Sequence, residues 1–284
     1  MRVHSMLVLV LLCSLAGGCA NLHLPEAQNG NTNKEALNGY GDKPDQMTDE
    51  GDKSKGLIIL ARDIEAHGEK DTALKLYQQT VALSGDAPDA NVRLGDAYLR
   101  ASRIKPAIDA YRAALVKDPS NNDALLGLGA ALVQSGSLDE GLADLAKAAP
   151  RVDTGAAYNR LGVAQMMAGQ FANAQASFEK GRALAPDDLD IATNLALATA
   201  LAGEADKAAA LAHEIAQSPS AEERHRRNLV LVLGIIGRSR DEARAVAPPG
   251  LSQNDIAALL KHATAIRDTN DPKARARALG MMRG

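Results

Sequence analysis

Apolar residues recur along this chain in a fixed register, and polar residues separate them at helical spacing. One leucine stands in each interval of 33 or 34 residues, in the series Leu60, Leu94, Leu128, Leu161, Leu195 and Leu229. A small residue follows each of the first five leucines, and a second partner lies four residues further on: Ala73 with Tyr77, Ala107 with Tyr111, Gly141 with Leu145, Ala174 with Phe178, and Ala208 with Ala212. Residues four apart share one face of a helix. The pattern predicts paired helices repeated six times over residues 54–250.

Glycine marks the predicted turn between the two helices of each pair. The turn glycines keep the leucine register at Gly68, Gly136, Gly169, Gly203 and Gly237, and Ser102 takes this place in the second pair. Glycine adopts the left-handed conformation that ends a helix at no steric cost. Pro119 and Pro186 close the second and fourth pairs, because proline cannot continue a helix.

Residues 155–188 carry the fullest version of the unit. They contain Leu161-Gly162, Ala174 and Phe178 in an A-x3-F arrangement, and a closing Pro186. This unit resembles the tetratricopeptide (TPR) repeat, a helix–turn–helix of 34 residues. The resemblance implies an all-α fold, an α-solenoid of about six TPR-like repeats. It also implies that Gly162 admits a closely packed neighbouring helix and that Phe178 fills the space between one repeat and the next.

The end of the chain predicts a helix that caps the array. Ser252 follows Pro248-Pro249-Gly250 and is a suitable N-cap for a helix over residues 253–267. Ile256, Leu259, Leu260 and Ala263 fall on one face of that helix. Residues 251–284 therefore form a capping helix and a basic tail, and we expect residues 268–284 to be frayed.

Composition narrows the possible functions. The chain has 284 residues, no Trp, 2 Phe, 5 Tyr and a formal net charge of −3. A slightly acidic chain gives no electrostatic reason to expect nucleic-acid binding. Both cysteines, Cys13 and Cys19, lie in the first 19 residues, so residues 20–284 can form neither a disulfide nor a thiolate metal site.

The N-terminus has the pattern of an export signal. Arg2 and His4 precede the apolar run 6–15, which is too short to span a bilayer, and small residues lead to Cys19. The ending Leu-Ala-Gly-Gly-Cys resembles a bacterial lipobox, although Ala16 stands where that motif usually has leucine. The resemblance implies that residues 1–18 are a lipoprotein signal peptide and that Cys19 is lipidated. An ordinary cleaved signal with an incidental cysteine is the alternative.

A polar linker separates Cys19 from the repeats. Residues 19–53 are rich in Asn, Gly, Asp, Glu and Lys and lack apolar periodicity, which is typical of a flexible tether. In enterobacterial lipoproteins, aspartate after the cysteine favours retention in the inner membrane. Ala20 stands there instead, so the resemblance implies an outer-membrane lipoprotein that faces the periplasm.

TPR arrays bind protein partners along a groove lined by the first helix of each repeat. The resemblance places eight candidate groove residues in this chain: Arg62, Asp96, Val133, Asn159, Val163, Met166, Leu197 and Arg227. The middle of the set is apolar and its ends are charged, which favours a peptide with apolar anchors. The alternative is that neighbouring helices pack against some of these residues. If the groove is open, replacing Met166 and Leu197 by Glu abolishes partner binding without unfolding the protein.

No motif predicts catalysis. The sequence has no phosphate-binding loop, nucleophile elbow or zinc-protease helix, and its 6 histidines lack metal-ligand spacing. We therefore expect no enzyme activity, no catalytic residues, no metal and no cofactor. The basic run 223–227 opens the sixth pair and is either a solvated face or a contact for an acidic partner.

The anchor, tether and repeats together resemble the TPR lipoproteins of tight-adherence (Flp) pilus assembly machines. That resemblance implies a non-enzymatic scaffold that binds the secretin or other pilus assembly components and reaches the membrane through its lipid. The alternative is a periplasmic adaptor that recruits proteases or peptidoglycan hydrolases. The sequence leaves the partner's identity and the oligomeric state open.

Overall fold

The computed structural model describes residues 50–84 and 87–279. These residues form fourteen α-helices, which we number in chain order. Their bounds are α1 Glu50–Ala66, α2 Lys70–Leu83, α3 Pro88–Arg100, α4 Ile104–Lys117, α5 Asn122–Ser135, α6 Leu138–Val152, α7 Gly155–Met167, α8 Phe171–Leu184, α9 Leu189–Leu201, α10 Ala205–Gln217, α11 Glu223–Ile235, α12 Arg240–Val246, α13 Gln253–Arg267 and α14 Pro272–Ala278. The described residues contain no strand, and the predicted all-α fold is confirmed.

The described residues belong to two compact units. The N-terminal unit comprises residues 50–128 and the C-terminal unit residues 129–279, so the division falls inside α5. It also falls inside the predicted array 54–250, whose outer boundaries stay predictions. Within each unit, a helix packs against the next one along the chain, as antiparallel pairs joined by short turns do.

The turns adopt the predicted left-handed conformation. Gly68, Gly136, Gly169, Gly203 and Gly237 have φ between 74° and 96°. Ser102 adopts a φ of 58° at the equivalent place, and it therefore bears the steric cost that glycine avoids. Each turn reverses the chain so that the second helix of a pair packs back on the first.

The helix starts combine side-chain caps with the apolar pattern. Asp188 accepts hydrogen bonds from the backbone N–H groups of Asp190 and Ile191 at the start of α9. Ser252 accepts one from Asp255 at 3.1 Å, and α13 spans the residues predicted for the capping helix. Such caps satisfy donors that a helix leaves unpaired, typically with about 1 kcal/mol of stabilisation.

Aromatic rings of the second helices fill the core between paired helices. Tyr77, Tyr111 and Phe178 are fully buried. A Cβ atom on Gly162 would lie 2.6 Å from Phe178 Cε1, and one on Gly95 would lie 2.7 Å from Tyr111 Cε1. The glycine at this position thus lets the paired helix approach closely, as the TPR resemblance implied for Gly162, and the aromatic ring of that helix lies directly on the glycine backbone.

The expectation that residues 268–284 are frayed is wrong for the part that the structure describes. Residues 272–278 form α14, capped by Asp271, whose carboxylate accepts a hydrogen bond from the Ala274 N–H at 2.6 Å. Ala276 and Leu279 are buried. The pattern was too short to show a helix face, and the segment is ordered by packing against other helices instead.

Candidate protein-interaction surface

One position of the first helix shows how the candidate surface changes along the chain. We call it the central series: Arg62, Asp96, Ala130, Val163, Leu197 and Leu231. Arg62 is exposed and Asp96 is half-buried, whereas the other four side chains are buried. The same register therefore presents charge in the N-terminal unit and buried hydrocarbon in the C-terminal unit.

The charged end of the series lies within a network of tyrosines and ion pairs. The Tyr111 hydroxyl donates to Asp96 Oδ1 at 2.7 Å. Arg100 holds Glu65 with two hydrogen bonds, one of them at 2.8 Å. Burial alone would lower the pKa of Arg100, but the hydrogen bonds and charge of Glu65 raise it. Burial, reinforced by the Glu65 carboxylate, raises the pKa of Tyr77, so both side chains keep their protons at neutral pH.

Arg62 is the accessible member of this charged group. It is exposed on α1, three residues before Glu65. Because Asp96 and Glu65 are engaged by Tyr111 and Arg100, their geometry is fixed before any partner arrives. The N-terminal unit therefore offers a preorganised polar surface with an exposed guanidinium.

The apolar candidates are covered. Val163 and Met166 have 0 % exposed surface, and Val133 and Leu197 have 2 %. Every residue from Ile191 to Leu201 is buried in α9, as is every residue from Asn228 to Ile235 in α11. A helix that is buried on all sides is enclosed by other elements. The structure thus favours the alternative that these side chains are packed, and whether they contact a partner stays a prediction.

Burial changes what a charge at these positions would do. The sequence-based expectation was that glutamate at Met166 and Leu197 leaves the fold intact. An isolated carboxylate in an apolar interior costs several kcal/mol, so the structure indicates that this variant would destabilise the C-terminal unit. It cannot serve as a clean test of binding.

Asn159 holds two first helices together. Its Oδ1 accepts a hydrogen bond from Asn194 Nδ2 at 3.0 Å, and both amides are buried. The bond joins α7 to α9 across an interval of 35 residues. Asn159 was a predicted groove residue, and the structure gives its carbonyl group a partner within the protein.

Two further polar contacts have the same 35-residue interval, and sequence reasoning missed all three. Glu65 meets Arg100 and Asp190 meets His225, in each case between consecutive first helices. The sequence did contain a signal for these contacts, because the repeat is 34 residues long and each contact joins two polar residues that are 35 apart. Each contact fixes how one repeat packs against the next.

The basic run 223–227 is engaged with acidic groups of the same unit. The His225 imidazole is buried; its Nδ1 accepts from the Glu222 N–H at 3.0 Å, and its Nε2 lies 2.9 Å from Asp190 Oδ1. Arg227, a predicted groove residue, donates to Glu223 at 2.8 Å. Arg224 lies 3.4 Å from Asp190. Glu222 and Glu223 at the start of α11, together with Asp190 of α9, offset the unfavourable effect of cations near a helix N-terminus.

The last two helices lie across the first helices of the C-terminal unit. We call residues 253–279, which contain α13 and α14, the C-terminal strap. α13 packs on α11, and α14 contacts α7. The strap therefore reaches first helices of the sixth and fourth repeats, and it also contacts the fifth through Arg275.

Cys19, the predicted lipidation site, lies outside the described residues. Within 50–84 and 87–279, no group of three or more His, Cys, Asp or Glu side chains has an arrangement that could hold a metal ion. Among the described helices, none is both long enough and apolar enough to cross a membrane.

Comparison with known families identifies the repeat. A model of the cilia and flagella-associated protein 70 middle TPR-like domain matches residues 57–160. A tetratricopeptide repeat model matches residues 159–222. No curated protein matches the sequence significantly.

Solved structures show the same architecture. A structure from the functional characterization of Pseudomonas aeruginosa pilF has 20 % identity and a TM-score of 0.58, with 69 % of this chain and 90 % of that chain covered. A thermophilic TPR protein of Thermus thermophilus has 20 % identity and a TM-score of 0.53, covering 63 % and 98 %. A TPR protein of Parabacteroides merdae has 17 % identity and a TM-score of 0.52, covering 81 % and 89 %.

The described chain is an α-helical repeat protein, the class that packs helix pairs side by side and uses their surfaces for binding. More specifically, it has the all-α TPR repeat fold. TPR proteins are generally non-enzymatic scaffolds that bind other proteins, and that is the function class of this fold.

Proposed function

We propose that this protein is a membrane-anchored TPR scaffold that binds protein partners and catalyses no reaction. The observation that carries the proposal is the central series, one first-helix position per repeat on a fold that is built for protein contact. Its exposed, polar part is in the N-terminal unit, where the side chains around Arg62 are fixed by hydrogen bonds. A surface that is already ordered loses little entropy when a partner binds.

The partner that we propose is a component of a Flp/Tad-type pilus secretion machine, with the secretin as the first candidate. Support comes from the sequence: the lipobox-like ending at Cys19, the polar tether, and the stretch 229–246 followed by 251–263, which resembles TadD, the tight-adherence assembly lipoprotein. The scaffold would aid localisation or assembly of the secretin by protein–protein binding.

Deletion of the gene tests the pilus role. We expect loss of secretin multimers and of surface pili, and both should return when the wild-type gene is supplied. Normal amounts of both in the deletion strain would refute the assignment. Altered recruitment of periplasmic proteases or peptidoglycan hydrolases in that strain would support the adaptor function instead.

An exposed-charge variant tests the binding surface. Arg62→Glu reverses the accessible charge of α1, and Lys75→Glu makes the same change on the exposed part of α2. Co-purification of the secretin should fall for Arg62→Glu and stay unchanged for Lys75→Glu. Equal co-purification with both variants would remove Arg62 from the binding surface.

We propose that the anchor is the lipidated Cys19 and that the membrane is the outer membrane, with the repeats in the periplasm. Several acyl chains give stable anchoring because each buried CH₂ contributes about 0.8 kcal/mol. Cys19→Ala should move the protein from the membrane fraction to the soluble periplasmic fraction. Unchanged membrane fractionation would contradict lipidation at this residue.

A further inference from the structure

The C-terminal strap touches three consecutive repeats of the C-terminal unit. A Cβ atom on Gly234 of α11 would lie 2.5 Å from Ala263 Cβ and 3.0 Å from Leu260 Cδ2. A Cβ atom on Gly169, at the turn after α7, would lie 2.9 Å from Pro272 Cβ. Two glycines of the repeats thus lie in direct contact with the strap, in the sixth and fourth repeats.

Arg275 makes the contact with the fifth repeat. Its NH1 group lies 3.5 Å from the carbonyl oxygen of Leu201, the last residue of α9. The same guanidinium donates to the carbonyl oxygens of Thr269 at 2.9 Å and Arg267 at 3.3 Å, near the end of α13. Carbonyl groups at helix ends lack intrahelical partners and attract cations. One side chain therefore ties the strap to α9.

The strap depends on these tertiary contacts for its own order. α14 has only 7 residues, and a helix of that length is marginal in water without packing.

From this geometry we propose that the first-helix surface of the fourth to sixth repeats is a helix-binding site that the strap occupies in cis. A partner segment displaces the strap and takes over its contacts. The strap defines the chemistry of that segment: an apolar, small-residue face like that of Ile256, Leu259 and Ala263, followed by an arginine that reaches the carbonyl end of α9. The inference rests on the proposed protein-binding function and names the partner segment and its regulation.

A partner segment that displaces the strap recovers the buried contacts that the strap loses. Ile256, Leu259, Ala263 and Ile266 form the buried face of α13, and burial of such side chains contributes about 25 cal/mol per Å² of apolar surface. A partner must still compete with a segment that is covalently attached and therefore present at high effective concentration. Binding by the wild-type protein is expected to be weak until the strap is released.

A labelled peptide of residues 253–279 tests the site in trans on the full chain. The release variant combines Ala263→Glu, which places a carboxylate against Gly234, with Arg275→Ala, which removes the bonds to α9 and α13. The control is Arg277→Ala, because the exposed Arg277 bonds, among the described residues, to the Lys273 carbonyl oxygen of its own helix at 3.4 Å. If the strap is undocked in about a tenth of wild-type molecules, release should tighten peptide binding about tenfold. Wild type and Arg277→Ala should bind alike.

Hydrogen exchange of residues 253–279 reports whether the strap is released. Fast exchange there, with α7 and α8 still protected and with tightened peptide binding, supports the proposal. It is overturned if the released variant fails to bind the peptide, if wild type binds it equally well, or if exchange stays slow in the variant. Should the double variant fail to fold, Arg275→Gln alone is measured in the same way.

Light scattering separates a partner from a second copy. If the wild-type protein dimerises through its intact strap and the release variant does not, exchange of straps between copies explains the site and a separate partner is not needed, which overturns that part of the proposal. The assay contains no secretin. If the release variant binds the peptide but deletion of the gene leaves secretin multimers unchanged, the pilus role alone is refuted. If the deletion removes secretin multimers but the release variant does not bind the peptide, the strap mechanism alone is refuted.

Discussion

The two units use one repeat register for different surfaces. At the central position, the N-terminal unit carries Arg62 and Asp96, while the C-terminal unit carries Val163, Leu197 and Leu231. Arg62 is exposed, Asp96 is half-buried and accepts a hydrogen bond from Tyr111, and the last three are buried. The scaffold positions are alike in both units, since a glycine lies against an aromatic ring in each. The glycine and ring positions therefore build the repeat in both units, whereas the central position differs between the units.

The largest effect is expected from a charge at the central position. Val163→Glu buries a carboxylate where exposure is 0 %, and we expect a loss of about 4 kcal/mol or more in the stability of the C-terminal unit. Arg62→Glu is the matched change in the N-terminal unit and should stay within about 0.5 kcal/mol. Hydrogen exchange resolved by segment measures each unit separately. Similar losses of stability for the two variants would contradict the difference in burial between Val163 and Arg62.

The second effect should be equal in both units. Gly95→Ala and Gly162→Ala each bring a methyl group within 2.8 Å of an aromatic ring, and overpacking of this kind costs about 1–3 kcal/mol. Gly181→Ala is the milder comparison, because its nearest contact would be the Gly155 carbonyl oxygen at 3.3 Å, which needs a smaller shift, and alanine favours the helix by about 1 kcal/mol. Urea denaturation followed by circular dichroism gives the three values. If Gly95→Ala left the stability unchanged, the packing of Tyr111 on α3 would be looser than the packing of Phe178 on α7.

The turns allow a reciprocal exchange between units. Ser102→Gly relieves a left-handed serine with φ of 58°, and we expect about 0.5–1 kcal/mol of stabilisation. Gly203→Ser makes the opposite change at φ of 92°, where no atom would contact a Cβ, and should destabilise by a similar amount. Thermal unfolding measures both. Same-sign shifts would mean that backbone strain does not govern these turns.

The smallest effect concerns an exposed ion pair of the C-terminal unit. The hydrogen bond from Lys207 lowers the pKa of Glu179, and the same bond raises the pKa of Lys207. Because the folded state favours the ionised carboxylate, its stabilisation is complete above the ordinary pKa of glutamate and disappears as the pH falls through the lowered value. Both side chains are exposed, so the pair contributes less than about 0.5 kcal/mol.

Glu179→Gln tests that pair. The variant should be slightly less stable than wild type at neutral pH and equally stable in acid, as measured by urea denaturation at several pH values. Arg103 with Asp71 is the corresponding exposed pair of the N-terminal unit, and Asp71→Asn should change the stability at neutral pH by less than about 0.5 kcal/mol. A constant difference across pH would mean that Glu179 acts by packing and not by charge.

The sequence predicted the positions whose neighbours lie within the same repeat. Turn glycines, Ser102, the close helix packing at Gly162 and the N-cap of α13 depend on local conformation and on a register that the chain repeats. These features were confirmed by the structure. The lipidation of Cys19 and the pilus role lie beyond what the described residues test and stay predictions.

The contacts of the strap and its helix α14 could not be predicted in the same way, because those contacts join residues far apart without any repeated interval. Arg275 and Leu201 are 74 residues apart, and α14 is too short to show a helix face. The burial of Met166 and Leu197 follows from such tertiary enclosure of the first helices. An apolar residue at a groove position is compatible with both an open and a filled groove, and the sequence pattern alone cannot distinguish them.

The 35-residue polar contacts limit how this gene can change in length. Repeat arrays commonly grow and shrink by duplication or loss of whole units, since an unequal exchange keeps the helices in phase. Removal of residues 188–221, which is one repeat length, would keep the helices in phase. The residue 35 positions before His225 would then be Ala156 instead of Asp190, and alanine cannot hydrogen-bond the imidazole. A buried imidazole without its partner costs about 1–3 kcal/mol. The order of the repeats is therefore inherited as a unit, and a deletion would need a compensating substitution to persist.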